Sequence, residues 1–261
     1  MAARDPAAEP EKYSAPALEK GLDILELLSR SPEPLSQVEI ARSLGRAPNE
    51  TYRMLNVLLR RRFVAPTPEG DRYRLSLKLL SLANAYPPMQ RMREIAEPVM
   101  QRASWETRQS CHLAIWDDRH VVVNVPVATP GLWRWSIRAG SHMGLYNSGS
   151  GQTLIAFRND KTRRFMIASY QPVEGETPVE EGAFFAKLDR IREAGFLREP
   201  SPTLEGVVNI SFPILDPNGE SVCTLTCPYI RRIDSSNPPS IDEIFTTFQK
   251  VAAEISHQMF G

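Results

Sequence analysis

The chain has 261 residues, of which 42% are hydrophobic and 24% charged, enough to build one large domain or two small ones. With 31 basic and 31 acidic residues the net charge is zero. That excludes capture of nucleic acid or anionic lipid by the molecule as a whole, so any polyanion must be met by a local excess of charge. Cys111, Cys223 and Cys227 cannot all pair and lack the paired spacing of a zinc site. No apolar run approaches the roughly 20 residues that span a bilayer, and there is no hydrophobic signal core, so the cytoplasm is the expected location, with no membrane partner.

Residues 1–16, "MAARDPAAEPEKYSAP", have almost nothing to bury and read as a disordered arm. Residues 17–78 read as a compact helical unit. "ALEKGLDILELLSR" places Leu18, Leu22, Leu25 and Leu28 on one stripe, and Ser31-Pro32 with Pro34 ends it. "LSQVEIARSLG" offers Ser36 as N-cap with Glu39 three residues on, a capping box, and Gly45 suits a left-handed end. A second start follows at Pro48. In "NETYRMLNVLLRRR", Tyr52, Leu55, Leu58 and Leu59 form the expected inner stripe, while Asn49, Arg53, Asn56 and Arg60 share the opposite face. Two helices joined by about four residues around a glycine make a helix-turn-helix.

In that arrangement the second helix enters the major groove head first, where Asn can pair with adenine and Arg with guanine. Between Arg46 and Arg62 five arginines face only Glu50, a local charge of +4. "FVA" and "RYRLS" around "PTPEGD" form a two-stranded wing whose Arg72 and Arg74 point to one side, toward a phosphate backbone. The candidate DNA-facing set is therefore Asn49 and Arg53 for base edges and Arg46, Arg60, Arg72 and Arg74 for phosphates. Glu50 and Thr51, in the same first helical turn, complete it. A charged outer face also fits a merely solvated surface, or a winged helix used to bind another protein.

Residues 79–90, "LLSLANAYPPMQ", read as a short linker helix broken at Pro87-Pro88, and residues 91–261 as the second domain. There "MREIAEPVMQRASWETRQ" is helical and "SCHLAIWDDRHVVVNVPV" is two strands turning at Asp117-Asp118. "LWRWSIRA" alternates as a half-buried strand, with Trp133 and Trp135 on one face. "SGSGQTLIAF" should open a helix whose unpaired N–H groups at Gly149, Ser150 and Gly151 form an anion seat fit for a small carboxylate. "FFAKLDRIREAGF" is a helix closed by Gly195, "DPNG" is a hairpin turn, and "IDEIFTTFQKVAAEISHQM" is a last helix. An antiparallel sheet with helices on its faces makes an α+β domain. Asn209, between Val208 and Ile210, is a buried polar side chain in want of a partner. Trp133, Trp135, Trp116 and Tyr146 fit either an aromatic-walled cavity or a simple aromatic core.

"LEKGLDILELL", "LSQVEIARSLGRAPNETYRMLNVLLRRRFV", "YRLSLKLLSLA", "GLYNSGSGQTLIAF" and "EAGFLREPSPTLEGVVNISFPILDPNGESVCTLT" together resemble the IclR family of bacterial transcriptional regulators. Asn49-Glu50 stands where that family usually has Ser-Thr, Tyr146 where it has His, and Gly151-Gln152 where it has Gly-Lys. The resemblance implies a winged helix-turn-helix followed by a GAF-like effector-binding domain. It also implies dimers or dimers of dimers on a near-palindromic double-stranded DNA operator, and a small-molecule effector. Residue by residue it implies effector roles for Trp135 on a strand, Gly149 and Ser150 in the amide-donating loop, Asn209 and Thr226 on the last two strands, and Glu199 at the border. No cofactor and no metal is implied.

Other classes fit fewer residues. Cys111-His112 suggests a thiol nucleophile, but neighbours in a strand point to opposite faces. His142 as a base with Asp117 or Asp118 has nothing to bring it together with them, and no nucleophile elbow, phosphate loop or dinucleotide fingerprint occurs. Four scattered histidines give a metal-sensing regulator no ligand cluster.

Overall fold

The computed structural model describes residues 15–131, 135–233 and 239–261. It divides into two compact units, one ending at Pro87 and the other beginning at Pro88.

In the first unit α1 (Pro16–Arg30) precedes a short strand β1 (Leu35–Ser36), then α2 (Gln37–Ser43) and α3 (Pro48–Arg60). Ser36 caps α2 by the reciprocal box with Glu39, and Gly45 turns the chain at φ +62°. Pro48 opens α3. The wing is β2 (Val64–Pro66) with β3 (Arg72–Leu75), and β1 adds to the far side of β3, giving a sheet in the order β1-β3-β2. Ile24, Leu28, Ile40, Leu55 and Val64 form the core. Leu18 and Leu22 lie outside it, 64% and 49% exposed, because α1 turns Gly21, Ile24 and Leu28 inward instead of the expected all-leucine stripe. The linker α4 (Lys78–Asn84) has no buried residue and exposes Leu79, Leu80 and Leu82.

The second unit starts with the long α5 (Pro87–Thr107), so Pro87-Pro88 opens a helix as well as ending a linker. Then come β4 (Cys111–Asp117), β5 (His120–Val127), the short β6 (His142–Met143), α6 (Gly149–Ala156), α7 (Asp160–Ser169) and α8 (Glu181–Ala194). Next are β7 (Leu197–Pro200), β8 (Val207–Leu215), β9 (Ser221–Ile230) and α9 (Ile241–Phe260). The sheet is antiparallel throughout, in the order β6-β5-β4-β9-β8-β7. Trp135–Arg138 do not join it. Their burial still alternates, half-buried then exposed, but no strand pairs with them, so a period of two marks a face here and not a ladder.

Strand alternation gives the sheet two unlike faces. Cys111 and Leu113, Ile210, Phe212 and Ile214, and Cys223, Leu225 and Cys227 pack with α5 and α9 in one apolar core. The residues between them point the other way, and in the three central strands many are polar: His112, Asn209, Ser211, Thr224 and Thr226. Against that face lies α6, all eight of whose residues are buried.

Candidate functional site

The outer face of α3 is a run of exposed side chains: Asn49, Glu50, Tyr52, Arg53, Asn56, Val57 and Arg60. Among the described residues nothing engages the side chains of Arg53, Arg60 or Arg74, which leaves three cations free for phosphate or base. The other expected contacts are differently placed. Arg46 reaches Asp23 of α1 at 2.5 Å, and Glu50 takes Lys20 at 3.2 Å. Arg72 bonds Glu39 at 3.1 Å and the Pro34 carbonyl at 2.8 Å, tying the wing to the cap of α2. The capping bonds from Ser36 and the charge of Arg72 together hold the Glu39 carboxyl below its usual range. Thr51 is corrected outright. It is 2% exposed with its hydroxyl on the Ala47 carbonyl, so it faces the core and cannot meet DNA. Tyr52, expected inside, is 52% exposed. The buried arc of α3 runs through Thr51 and Leu55, one residue earlier than apolar character alone suggests.

The second site is built at the head of α6. Ser148 caps the helix by accepting from the Gly151 N–H at 2.9 Å and donates its own hydroxyl to the Gly144 carbonyl at 2.6 Å. Gly149 lies directly on β8. A Cβ there would stand 2.7 Å from Ser211 Oγ and 2.9 Å from Asn209 Cβ, so only glycine lets the helix approach this far. From this contact a chain of buried polar groups crosses the sheet. Ser211 Oγ and Thr226 Oγ1 are 2.8 Å apart, Thr226 Oγ1 and Ser150 Oγ 2.8 Å, and Ser150 Oγ and His112 Nε2 2.9 Å. Thr224 adds a bond to the Ser150 carbonyl at 3.3 Å. Burial lowers the His112 pKa to about 4, which leaves the imidazole neutral at physiological pH. Three hydrogen bonds join three hydroxyls and one neutral imidazole, four hydrogens in all, so one hydrogen has no acceptor within the chain.

The structure thus brings Gly149, Ser150, Asn209 and Thr226 together. Glu199 is the register neighbour of Asn209 across β7 and β8, and its carboxylate is held by Lys187 of α8. Tyr146 belongs to an aromatic core: its ring meets Tyr170 and Phe184 edge-on at 5.3 and 4.9 Å, and Trp116 lies 6.3 Å from Tyr170. The loop before α6 is clamped by one carboxylate, since Glu176 accepts from the Tyr146 and Asn147 N–H groups at 2.7 and 3.1 Å and from the Tyr170 hydroxyl. Trp135 stands apart from these rings. It lines a surface cleft of about 300 Å³ with Arg108, Gln109, Ser110, Ile230 and Arg231. Trp135 and Ser110 also line a separate, much smaller space of about 10 Å³ with His112 and Pro228. Trp133 lies outside the described residues.

Sequence reasoning passed over Ser211 and weighed His112 only beside Cys111 as a thiol nucleophile. The signal was the repeated polar–apolar–polar pattern "NIS" and "TLT" in strands destined for the centre of a sheet. Cys111 and Cys227 are fully buried and burial pushes both thiols up, while Cys223 is raised to about 12, so none is a nucleophile at neutral pH. His142 stacks on His120 with ring centroids 4.1 Å apart. Among the described residues no group of three or more His, Cys, Asp or Glu could hold a metal, and no helix is long and apolar enough to cross a membrane.

Comparison with known proteins agrees with both halves. A family model described as "IclR helix-turn-helix domain" matches residues 17–68, and one described as "Bacterial transcriptional regulator IclR C-terminal" matches residues 86–257. The DNA-binding transcriptional repressor YiaJ of Escherichia coli is 26% identical over 208 residues, 78% of this chain and 74% of that protein. Among solved structures, the IclR of Thermotoga maritima superposes with a TM-score of 0.74 at 23% identity, covering 93% of this chain and 98% of that one. An IclR homologue from Microbacterium hydrocarbonoxydans complexed with 4-hydroxybenzoate gives 0.75 at 18%, again covering 93% and 98%. The chain belongs to the IclR family of bacterial transcriptional regulators.

Proposed function

We propose that this regulator binds a near-palindromic operator as a dimer and that a small carboxylic acid, seated at the head of α6, changes that binding. Asn49 and Arg53 are the base-reading residues; Arg60 and Arg74 hold phosphates, and Arg46 and Arg72 join them to the extent that they leave Asp23 and Glu39. Exposed Leu18, Leu22, Leu80 and Leu82 supply the apolar surface that a second copy of the chain would cover.

The observation that carries the effector half is the buried His112–Ser150–Thr226–Ser211 chain under the first turn of α6, with a Trp135-walled cleft that shares Ser110 with the small space beside His112. It offers a carboxylate the one hydrogen that has no acceptor within the chain and a helix-start N–H pair, and Trp135 offers a ring its apolar body can lie against. The 4-hydroxybenzoate complex of the Microbacterium homologue supports an aromatic acid. Arg108 and Arg231, which line the cleft, favour an anion.

The test is a thermal-shift screen of small aromatic and aliphatic acids, each beside its neutral amide, followed by titration of the DNA complex. A true effector raises the melting point by mass action, loses this effect as the amide, and shifts operator affinity by the same factor by which operator shifts its own. A ligand that stabilises the protein and leaves operator affinity unchanged refutes the coupling.

A further inference from the structure

The outer face of α3 carries an aromatic ring that neither base pairing nor phosphate contact uses. Tyr52 is large, aromatic and 52% exposed, and among the described residues its hydroxyl has no partner. It sits between Asn49, three residues before it, and Arg53 and Asn56 after it, on the half of the helix that leads into the groove. Asn56 donates to the Tyr52 carbonyl at 3.0 Å, which leaves the ring free of that neighbour. Long side chains in a helix lean back toward its N-terminus, so this ring reaches over the turn that carries Asn49. The surrounding free cations, Arg53 and Arg60, fit a polyanion as the occupant of this face. Within the major groove the one apolar group that a base edge presents is the thymine C5-methyl.

We propose that the Tyr52 ring is a specificity-determining contact that packs on a thymine methyl in each operator half-site. This rests on the DNA-binding reading of α3. Asn49, Tyr52 and Arg53 then form a three-part reader: an amide for adenine, a ring for thymine, and a guanidinium for guanine.

The experiment selects binding sites from a random duplex pool with the full chain, then with Tyr52→Ala and Tyr52→Phe. The expected result is a two-fold-related site in which one thymine per half loses its enrichment with Tyr52→Ala and keeps it with Tyr52→Phe. Replacing that thymine by deoxyuridine should weaken the wild-type complex about fourfold per half-site, the effect of withdrawing one methyl from contact, and leave Tyr52→Ala unaffected. Since no phosphate contact is lost, the slope of log affinity against log salt should be the same for Tyr52→Ala and wild type. Identical motifs and identical uridine effects in both proteins overturn the proposal. So does a reduced salt slope with an unchanged motif, which would make Tyr52 a backbone contact. If no motif is enriched for any protein, the DNA-binding reading fails and takes the proposal with it. Tyr52 is exposed, so unchanged melting of the variants confirms that folding is not the cause.

Discussion

The helices α3 and α6 each begin a site, and they do it in opposite ways. α3 turns seven named side chains outward and buries chiefly Thr51 and Leu55, while α6 buries every residue from Gly149 to Ala156. A helix whose polar face waits for a partner leaves its hydrogen bonding to water until that partner arrives. A helix with no outer face must satisfy its polar groups within the protein, which is why Ser150 is bonded to His112 and Thr226 and why Gly149 cannot be larger. Substitutions on α3 should therefore change binding and spare stability, whereas those around α6 should change both.

Breaking this contrast is easiest at Gly149. Gly149→Val drives a Cβ and its two methyls into β8 and should cost the second unit about 3 kcal/mol or more. Urea unfolding followed by tryptophan emission reads this unit alone, because Trp105, Trp116, Trp133 and Trp135 all lie in it. An unchanged midpoint would show that α6 does not press on the sheet. Next comes pH. Free histidine titrates near 6.5 and His112 near 4, so above pH 6.5 neither state takes the proton. As pH falls from 6.5 to 4 the unfolded chain takes it and the folded chain refuses, and stability drops by up to about 3 kcal/mol. His112→Asn should remove that part of the decline, and parallel curves for both proteins would place His112 in water.

Thr226→Val deletes the hydroxyl shared by Ser150 and Ser211 and should cost roughly 1–3 kcal/mol in the same unfolding assay. Arg53→Ala sharpens the other side of the comparison: operator affinity should weaken by about 1–3 kcal/mol while stability stays within about 0.5 kcal/mol. Arg46→Ala should do least. Its ion pair with Asp23 is partly exposed and contributes at most about 1 kcal/mol, and its operator effect should be smaller than that of Arg53→Ala. A larger effect would mean that Arg46 leaves Asp23 for DNA.

Local chemistry made α3's neighbourhood legible. Ser36 with Glu39, Gly45 and Pro48 each act through a few adjacent residues, and all three turned out as the pattern demands. The phase of α3 was missed because Thr51 counts as polar and Tyr52 as apolar, whereas the threonine hydroxyl satisfies itself on the Ala47 carbonyl and can be buried at no loss. For α6 the glycines and Ser150 marked the boundary, but a helix buried all round has no periodicity to show which side carries function. His112 and Ser211 join Ser150 only through strand order, with β4, β9 and β8 adjacent in space and 76 residues separating Ser150 from Thr226. Such pairing is decided by tertiary packing and is not written in any short segment.

The carboxylates Asp23 and Glu39, holding Arg46 and Arg72 on the protein side, have a kinetic consequence. If Arg46 and Arg72 meet phosphates as proposed, each contact withheld in this way flattens the salt dependence and loosens the grip on unrelated duplex, which depends on counterion release. A head thinned in this way spends less time stuck to the rest of the chromosome.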